Sequence, residues 1–594
     1  MLNADFQVEI GVFFSTVLDN IETYITFSNK YLLVIMKYCA SKYLFVIAYA
    51  AASSSLFAAL ENVNKMSGNE NILWSSSGSW QNKEVPLPPN SNTAYIANEW
   101  NSISMSVDGD YTVGKIGSNS DTGYNNNGVF TYNMSGTAAD GANGSINIDA
   151  AQNDSGSNAA IDIGLQGRSK AEIYDQNVVF SGGTVTIFDS SNPDRQLGVF
   201  VNSNITDLTQ DYTKSLTFDS QTTLNSYNDI EFGTNTGGAE YRTLCINLFG
   251  NTNVLKQGDD SSIEYKTVEF SGGDGSSAYT NAVINIGDSA AGTKFLSGSV
   301  KQYAAVDVNV LGTMNVMGDY FINQASGIRT KFNVASGGKF EMATPAAGTE
   351  IKFTANNADI EIAGDFIITH DTSTKGAADG LYNSKMTVKN GGNVLITSGN
   401  NGDVSLALGA NSVLEVEEGG LVTVSKQLRI YGNNARVILH QENGLRSQEY
   451  NGKWKIIIGG VYSDVYVDLY ANQDLYGISF WGDESAGNTT TLHLTLGENL
   501  TSLTLDTLVA DGDTLTEYRL IDITGFKNNT IFVKSKNDED LLSSISADGF
   551  KDFYWEETDG GWYLNAIAVP EPAFFASVFG LLALALALGR RRAS

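Results

Sequence analysis

The chain has 594 residues, of which 36 are basic and 66 are acidic, and its formal net charge is −30. A surface of this sign repels the phosphates of nucleic acids, so we expect no nucleic acid partner. Sixty glycines against seven prolines, with 42% hydrophobic residues, exclude a disordered chain and indicate an all-β protein that is rich in tight turns.

Residues 36–59, MKYCASKYLFVIAYAAASSSLFAA, have the parts of a signal peptide: two lysines, an apolar run and then small residues. We therefore expect export, with cleavage by signal peptidase at Ala58 and Ala59. Residues 1–35 carry four acids and one lysine, an unusual prefix for a signal peptide. We expect translation to start at Met36, and an uncleaved signal anchor is the alternative.

The cysteine and histidine contents limit the chemistry that the exported part can perform. Removal of residues 1–59 leaves Cys245 as the only thiol, so burial and backbone pairing must hold the fold together. The three histidines, His370, His440 and His493, are widely separated, and each is expected on the surface or in a strand. The sequence predicts no metal site and no cofactor.

Apolar and polar residues alternate along most of the chain, as they do in strands that bury one face. The clearest segments are SINID at 145–149, TVTIF at 184–188, DVNVL at 307–311, DIEIAG at 359–364, VLEVEEGGLVTVS at 413–425, DVYVDLY at 464–470 and TLHLTL at 491–496. Helical spacing is scarce. Gly, Asn, Asp and Ser separate the strands and permit the turns between them.

A phrase of one or two glycines followed by a strand recurs at intervals near 27 residues or twice that length. Its copies are GGTVTIF at 182–188, GTMNVMGD at 312–319, GGKFEM at 337–342, GGNVLIT at 391–397 and GGLVTVS at 419–425. Such a period is typical of a solenoid, in which stacked coils bury a continuous apolar column. We predict a right-handed parallel β-helix, flanked by the signal peptide and a C-terminal single transmembrane helix. A series of antiparallel sandwiches is the alternative.

Two stretches near the ends of the exported part resemble a known group. The segment NILWSSSGSWQNKEVPLPPNSNTAYI at 71–96 is similar to the opening of exported bacterial proteins with autotransporter-type β-helical repeats. The segments 513–526, 529–533 and 559–572 are similar to the closing segment of the same group. The resemblance implies that Trp and Tyr side chains cover the exposed ends of the solenoid. No translocating barrel follows Val569, so self-secretion is not expected.

The last 26 residues, VPEPAFFASVFGLLALALALGRRRAS at 569–594, combine three features. Residues 573–589 are uncharged, and a helix of this length covers roughly 25 Å, close to the minimum for a bilayer core. Arg590, Arg591 and Arg592 would stay on the cytoplasmic side and orient the segment. An ordinary membrane anchor is one interpretation of these features.

The order Val569, Pro570, Glu571, Pro572, then a short apolar helix, then arginines, resembles the PEP-CTERM sorting signal of Gram-negative bacteria. The resemblance implies that an exosortase-type membrane protease recognises and cleaves the chain near Pro-Glu-Pro. It also implies a destination at the cell envelope surface or in the extracellular matrix, with membrane contact through residues 573–589. An extracellular polysaccharide is a candidate partner.

The expected organisation has six parts. They are 1–35 as a possible mis-assigned start, 36–59 as signal peptide, 60–140 as N-terminal β cap and first strands, 141–510 as β-helix, 511–568 as C-terminal β cap and 569–594 as sorting signal.

No catalytic motif stands out, so we expect no enzyme. Nucleophile-elbow, Walker and dinucleotide motifs are absent, and the runs GGDGSS at 272–277 and DGD at 108–110 are interpreted as turns. The sequence favours an exported structural or adhesin-like protein. The alternatives are a carbohydrate-active β-helix enzyme, either a polysaccharide lyase or a glycosidase, and a non-catalytic carbohydrate-binding protein that uses exposed Tyr and Trp as stacking platforms.

Overall fold

The chain divides into two units, Met1–Glu70 and Asn71–Ser594, and the computed structural model describes residues of the second unit. The described residues are 72–75, 93–96, 102–118, 128–152, 158–165, 176–203, 212–234, 242–256, 264–272, 282–303, 305–323, 329–345, 349–370, 379–397, 406–448, 454–459, 464–471, 473, 475–481, 490–497, 504–505, 519–524, 530–533, 545–547, 550–558, 561–568 and 579–583.

Most described residues belong to three long sheets, which we number in the order in which the chain visits them. Sheet I contains Ile72–Leu73, Ser102–Ser106, Gly128–Asn133, Gln176–Ser181, Tyr212–Phe218, Arg242–Leu248, Ala282–Ile286, Val306–Val310, Thr330–Val334, Ala358–Ile362, Lys385–Val388, Val413–Val416, Ala435–Leu439, Asp464–Leu469, Thr490–Leu496, Arg519–Thr524 and Ile545–Ala547. Sheet II contains Asp110–Val113, Ser145–Asp149, Thr184–Phe188, Thr223–Ser226, Asn251–Val254, Lys294–Ser297, Thr313–Val316, Lys339–Ala343, Asp365–Thr369, Asn393–Thr397, Leu421–Val424 and Leu445–Ser447.

Sheet III contains Thr93–Ile96, Lys115–Ser118, Ala159–Leu165, Leu197–Ser203, Ile230–Gly233, Val268–Ser271, Val300–Gln302, Tyr320–Asn323, Phe353–Asn356, Asp379–Tyr382, Leu406–Leu408, Leu428–Ile430, Trp454–Gly459 and Leu475–Trp481. A smaller closing sheet contains Thr504–Leu505, Thr530–Val533, Phe550–Thr558 and Gly561–Ala568. A 3₁₀ turn at Ala150–Gln152 and a helical turn at 579–583 complete the described elements.

From Ser102 to Gly459 the described strands run from sheet I to sheet II to sheet III and then return to sheet I one coil further along. Each strand therefore pairs in parallel with the strand of the next coil, as Val308 pairs with Phe332 and Phe332 with Ile360. Within the described residues, antiparallel pairing occurs in the closing sheet and at one isolated bridge, Leu255 to Tyr265. The described strands thus have the arrangement of a parallel β-helix, as predicted, and not of stacked antiparallel sandwiches.

The interior of the column is apolar along the described coils, because every second residue of each strand points inward. Aromatic rings fill its middle: Phe340 stacks on Phe366 with ring centroids 4.9 Å apart, and Tyr320 and Phe332 meet edge to face at 5.2 Å. All four rings are essentially fully buried. One coil could not bury them alone, so stability must come from the stacking of neighbouring coils.

The repeated glycine phrase marks the corner between sheets I and II, since its copies immediately precede strands of sheet II. Gly337, Gly391 and Gly419 have φ near +82°, a conformation that L side chains rarely adopt. The glycine that follows faces the backbone of the preceding coil so closely that a Cβ on Gly392 would overlap the Ile362 carbonyl oxygen. The first glycine therefore permits the turn, and the second permits the close approach of two neighbouring backbones.

Aromatic residues lie at the first coils, where a continuous sheet would otherwise end. Trp74 is fully buried, and its ring stacks on that of Tyr111 with centroids 5.3 Å apart. The DGD turn beside it is held by hydrogen bonds, since Asp108 accepts one from the Tyr111 hydroxyl at 2.8 Å and another from the Ser75 amide at 3.0 Å. These contacts agree with the interpretation of that run as a structural turn.

Candidate functional site

The residues predicted to direct sorting and cleavage lie outside the described residues. They are Val569, Pro570, Glu571 and Pro572, the arginines Arg590, Arg591 and Arg592, and Ala58 and Ala59. Of the predicted membrane segment, the turn at 579–583 is described, and its Phe579 and Leu581 are 66% and 67% exposed. Among the described residues, no helix is both long and apolar enough to cross a membrane.

The three histidines form separate pairs and not a common centre. His370 is buried at a corner of the coil and lies 2.8 Å from Asp379, whose pKa is raised by burial. His440 and His493, in contrast, lie on the outer face of sheet I beside carboxylates. Within the described part of the chain, no group of three His, Cys, Asp or Glu side chains is arranged to hold a metal ion.

The outer face of sheet I carries a ladder of hydrogen-bonded amides in its N-terminal half, which we call the amide ladder. Its members are Asn177, Thr217, Asn247, Asn285, Asn309 and Asn333, on six successive strands. Each amide nitrogen donates to the residue one coil before, at 3.0 Å for Asn247, 2.7 Å for Asn285, 2.9 Å for Asn309 and 2.8 Å for Asn333. The members satisfy one another, which fits a structural role.

The same face changes character after Asn333, where charged and aromatic side chains take over. Its ion pairs are Arg329–Asp359 at 2.7 Å, Lys385–Glu415 at 2.7 Å, Arg436–Asp468 at 3.0 Å and His493–Asp464 at 2.8 Å. We call this stretch the ionic stretch. Burial opposes the ionisation of Glu415, but hydrogen bonds from Lys385 and His440 outweigh it and lower the pKa of this carboxyl.

The outer face of sheet III brings two glutamates together. Glu231 and Glu269 are register partners on neighbouring strands. Lys301 and Gln196 each donate a hydrogen bond to Glu269 at 2.8 Å, and the Tyr303 hydroxyl approaches it at 3.5 Å. Both carboxyls therefore lie in one half-buried patch of this face.

The environments of the two glutamates push their pKa values apart. Burial raises the pKa of Glu231. A hydrogen bond from Ser271 lowers it in part, and the nearby charge of Glu269 raises it further. Burial also opposes the ionisation of Glu269, yet the hydrogen bonds from Lys301 and Gln196 leave the pKa of Glu269 lowered. Pushing the two pKa values apart widens the pH range over which the pair holds one proton and one negative charge.

Further along sheet III, one position per coil forms what we call the tyrosine row. Asn323, Asn356 and Tyr382 are register partners, and Tyr303, Gly409 and Tyr431 each directly follow the last paired residue of their strands, which places them on the same line. The three tyrosines are 36%, 39% and 38% exposed, respectively. Each of these side chains is therefore mostly buried, and the remaining part is accessible to solvent.

Glycines support the tyrosine ring at the centre of this row. A Cβ added to Gly380 or Gly409 would collide with the Tyr382 ring, so this ring lies against the backbone at both glycines. The guanidinium of Arg429 lies 4.3 Å from the centroid of the Tyr431 ring. The row is therefore a supported, partly exposed aromatic surface with a cation at one end.

Comparison with known proteins adds no relative, since no family model, no curated protein and no solved structure matches the chain.

Sequence reasoning missed the tyrosine row and the Glu231–Glu269 pair. It named exposed aromatic residues as a class of stacking platform but could not select among them. The signal was present as glycine two residues before a tyrosine, in GLY at 380–382, but this pattern is common in turns. Only the register between coils places these residues on one line.

Proposed function

We propose that the protein is exported and serves outside the cell as a rigid, adhesin-like β-helical column without catalytic activity. The observation that carries this proposal is the repeated parallel coil, whose strands stack through sheet I and enclose one apolar core. Connections between successive parallel strands are nearly always right-handed, so we propose that hand for the coil. An elongated stack of this kind suits a stalk that holds a surface away from the cell.

Delivery of the column is proposed to follow the two terminal signals. Signal peptidase would cleave at Ala58 and Ala59, and an exosortase-type protease would recognise the segment Val569–Pro572. Exposed apolar side chains at 579–583 support this view, because such a turn is stable when a membrane covers it. The three terminal arginines would keep the end of the chain at the cytoplasmic side before processing. The envelope surface or the extracellular matrix of a Gram-negative bacterium is the proposed destination.

Mass spectrometry of the protein from each fraction of its native cell tests the proposal. The mature form should begin after Ala59 and end near Pro572, and it should be recovered from the surface or the medium. Glu571→Ala should leave residues 573–594 attached and the protein in the membrane, whereas the control Glu418→Ala, an exposed glutamate of the column, should be processed normally. Intact residues 573–594 on the mature wild-type protein would indicate a plain membrane anchor, and recovery from the cytosol would end the proposal.

A glycosidase is the second candidate, and the Glu231–Glu269 pair favours it. Glycosidases use a protonated and an ionised carboxyl that lie about 5–10 Å apart, which the divided pKa values of this pair would suit. Release of reducing ends from polysaccharides by the purified chain, lost in both Glu231→Gln and Glu269→Gln, would favour the enzyme over the structural protein. No release from any of a panel of linear polysaccharides would favour the structural protein.

A further inference from the structure

We propose that the tyrosine row of sheet III binds one extended, linear polysaccharide chain that runs along the axis of the column. This polysaccharide would be the partner of the column, so the biological role of the binding rests on the proposed function. The binding itself depends only on the described face and holds whether or not the two termini are processed.

The chemistry of the row fits sugar rings. A tyrosine ring offers an apolar face and a polar hydroxyl, and a pyranose ring likewise has an apolar face bordered by hydroxyls. Tyr382 lies against the backbone of Gly380 and Gly409 and is 39% exposed, so its ring is supported from below and part of it is accessible to a ligand. Asn356 is exposed on the neighbouring strand, and the guanidinium of Arg429 lies over one face of the Tyr431 ring, which places hydrogen-bond donors next to the rings and leaves the opposite face of Tyr431 for stacking.

The geometry of the row fits an extended chain. Neighbouring coils are about 4.8 Å apart, which is close to the length of one sugar unit in an extended polysaccharide. Tyr382 and Tyr431 are two coils apart, or about 10 Å, so their rings would meet every second sugar. Tyr303 lies three coils before Tyr382, and the whole row therefore spans about 24 Å, or roughly six sugar units.

From Asn356 onward the corner beside the row is short and polar. The connections from sheet III to sheet I are short here: a single residue, Asn357, separates Phe353–Asn356 from Ala358–Ile362. Asn357, Asn383, Asn411 and Asn434 occupy the turns of four successive coils with φ between +49° and +57°. The Asn383 amide donates to Asn357 at 3.1 Å, and that of Asn434 donates to Asn411 at 3.2 Å.

This line of asparagines gives the row a hydrogen-bonding border. Exposed amides such as those of Asn383 and Asn434 can bond to hydroxyl groups in either direction, because each amide offers both donors and an acceptor. A neutral, hydroxyl-rich chain suits this border better than an acidic one, since the protein carries a strong net negative charge. We therefore assign the row to a neutral β-linked polysaccharide.

Isothermal titration of the full chain with linear hexasaccharides tests the assignment. The probes are cellohexaose, mannohexaose and chitohexaose, and maltohexaose serves as a control because its α-linked chain is curved. We expect at least one β-linked hexasaccharide to bind at least tenfold more tightly than maltohexaose and than its own trisaccharide. Absence of binding by all three β-linked probes overturns the proposal, and so does equal binding of maltohexaose.

Variants locate the binding. The double variant Tyr382→Ala with Tyr431→Ala should weaken binding at least tenfold, whereas Tyr382→Phe, which keeps the stacking face, should lose less than threefold. Tyr554→Ala removes a tyrosine that is 48% exposed on the closing sheet and is the matched control, with no change expected. Circular dichroism confirms folding of each variant. Wild-type affinity in the folded double variant would overturn the assignment to this row.

The outcomes of the two proposals are separable. Binding without correct processing of the termini would retain the tyrosine row and reject the proposed sorting. Correct processing without binding would retain the proposed sorting and reject the tyrosine row as a binding site. Cleavage of a bound hexasaccharide, seen by chromatography, would support the row as a glycan site and reject the non-catalytic role of the column.

Discussion

The outer face of sheet I is built in two ways on one backbone. In the amide ladder, Asn285, Asn309 and Asn333 repeat one neutral side chain and bond it from coil to coil. In the ionic stretch, carboxylates pair with lysines and arginines of neighbouring coils, such as Glu415 with Lys385, while the register line that continues from Asn333 runs through Glu361, Thr387 and Glu415. The inward positions below both stretches are mostly apolar, with Lys214 and Thr330 as exceptions.

The difference shows that the inward rows specify the fold while the outward rows are free to vary. Each step of the amide ladder needs a side chain that both donates and accepts, as an asparagine amide or the Thr217 hydroxyl does. Ion pairs need only opposite charges within reach, and they respond to salt and pH. We expect the two stretches to differ less in total stability than in how that stability depends on solution conditions.

The largest loss of stability should come from a substitution in the interior that the two stretches share. Phe332 lies beneath their boundary and packs against the rings of Tyr320 and Phe340 at 5.2 Å each. Phe332→Ala should lower the free energy of unfolding by about 3–5 kcal/mol, since the cavity cannot collapse inside stacked coils. Urea denaturation of the full chain measures the loss. The exposed neighbour Lys331→Ala should change it by less than about 0.5 kcal/mol, and an equal loss in both variants would contradict this view of the interior.

A smaller effect should follow from interrupting the amide ladder. Asn309 donates to Asn285 and accepts from Asn333, so Asn309→Ala removes two hydrogen bonds from half-buried groups. We expect a loss of about 1–3 kcal/mol by urea denaturation, unchanged between low and high salt and between pH 5 and 8. Asn309→Asp keeps the shape of the side chain but places a carboxylate oxygen against the Asn285 oxygen. It should therefore lower the free energy of unfolding at least as much as Asn309→Ala does. A salt-dependent loss in Asn309→Ala would contradict the neutral ladder.

The ionic stretch should respond to acid where the ladder does not. Burial opposes ionisation of Glu415, but Lys385 and His440 still lower its pKa in the folded protein. A lowered folded pKa gives stability above the unfolded value of about 4.3, and this stability disappears as the pH falls through the folded value. Glu415→Gln should therefore cost about 1 kcal/mol at pH 7, and the difference from wild type should vanish in acid.

Denaturation of both proteins across the pH range measures this difference. Asn309→Ala is the matched control, because its loss should stay constant over the same range. A Glu415→Gln difference that persists below the folded pKa would mean that the carboxylate acts through shape and not through charge.

The all-β coil could be predicted from the sequence because strands and turns are encoded by residues that are close together in the chain. Alternation predicted strands, and the glycine phrase at 391–397 predicted a corner whose two glycines meet separate steric needs. Which residues share a line along the column is not local information. The coils differ in length, so residues such as Tyr303 and Tyr382 align only through pairing of every strand between them.

The pairing of charges escaped sequence reasoning for the same reason. With 66 acidic residues, any one glutamate has many candidate partners along the chain. Glu231 and Glu269 become register partners only after a full coil, including its connections, has been closed. Buried pairs at corners, such as His370 with Asp379, are harder still to predict. They form only when the connection between two successive strands brings its two ends together.

The smallest effect should come from an exposed ion pair at the edge of the ionic stretch. Lys389 lies 2.7 Å from Glu417, and each side chain is 36% exposed. Burial opposes protonation of Lys389, but the hydrogen bond to Glu417 raises its pKa, so its contribution is complete below the unfolded value of about 10.4 and is lost as the pH rises through the folded value. A double-mutant cycle with Lys389→Ala and Glu417→Ala should give a coupling of about 0.2–1 kcal/mol at pH 7. At about 1 M salt the Debye length is near 3 Å, so the coupling should approach zero, and a coupling that survives this salt would place the pair among the structural contacts of the column.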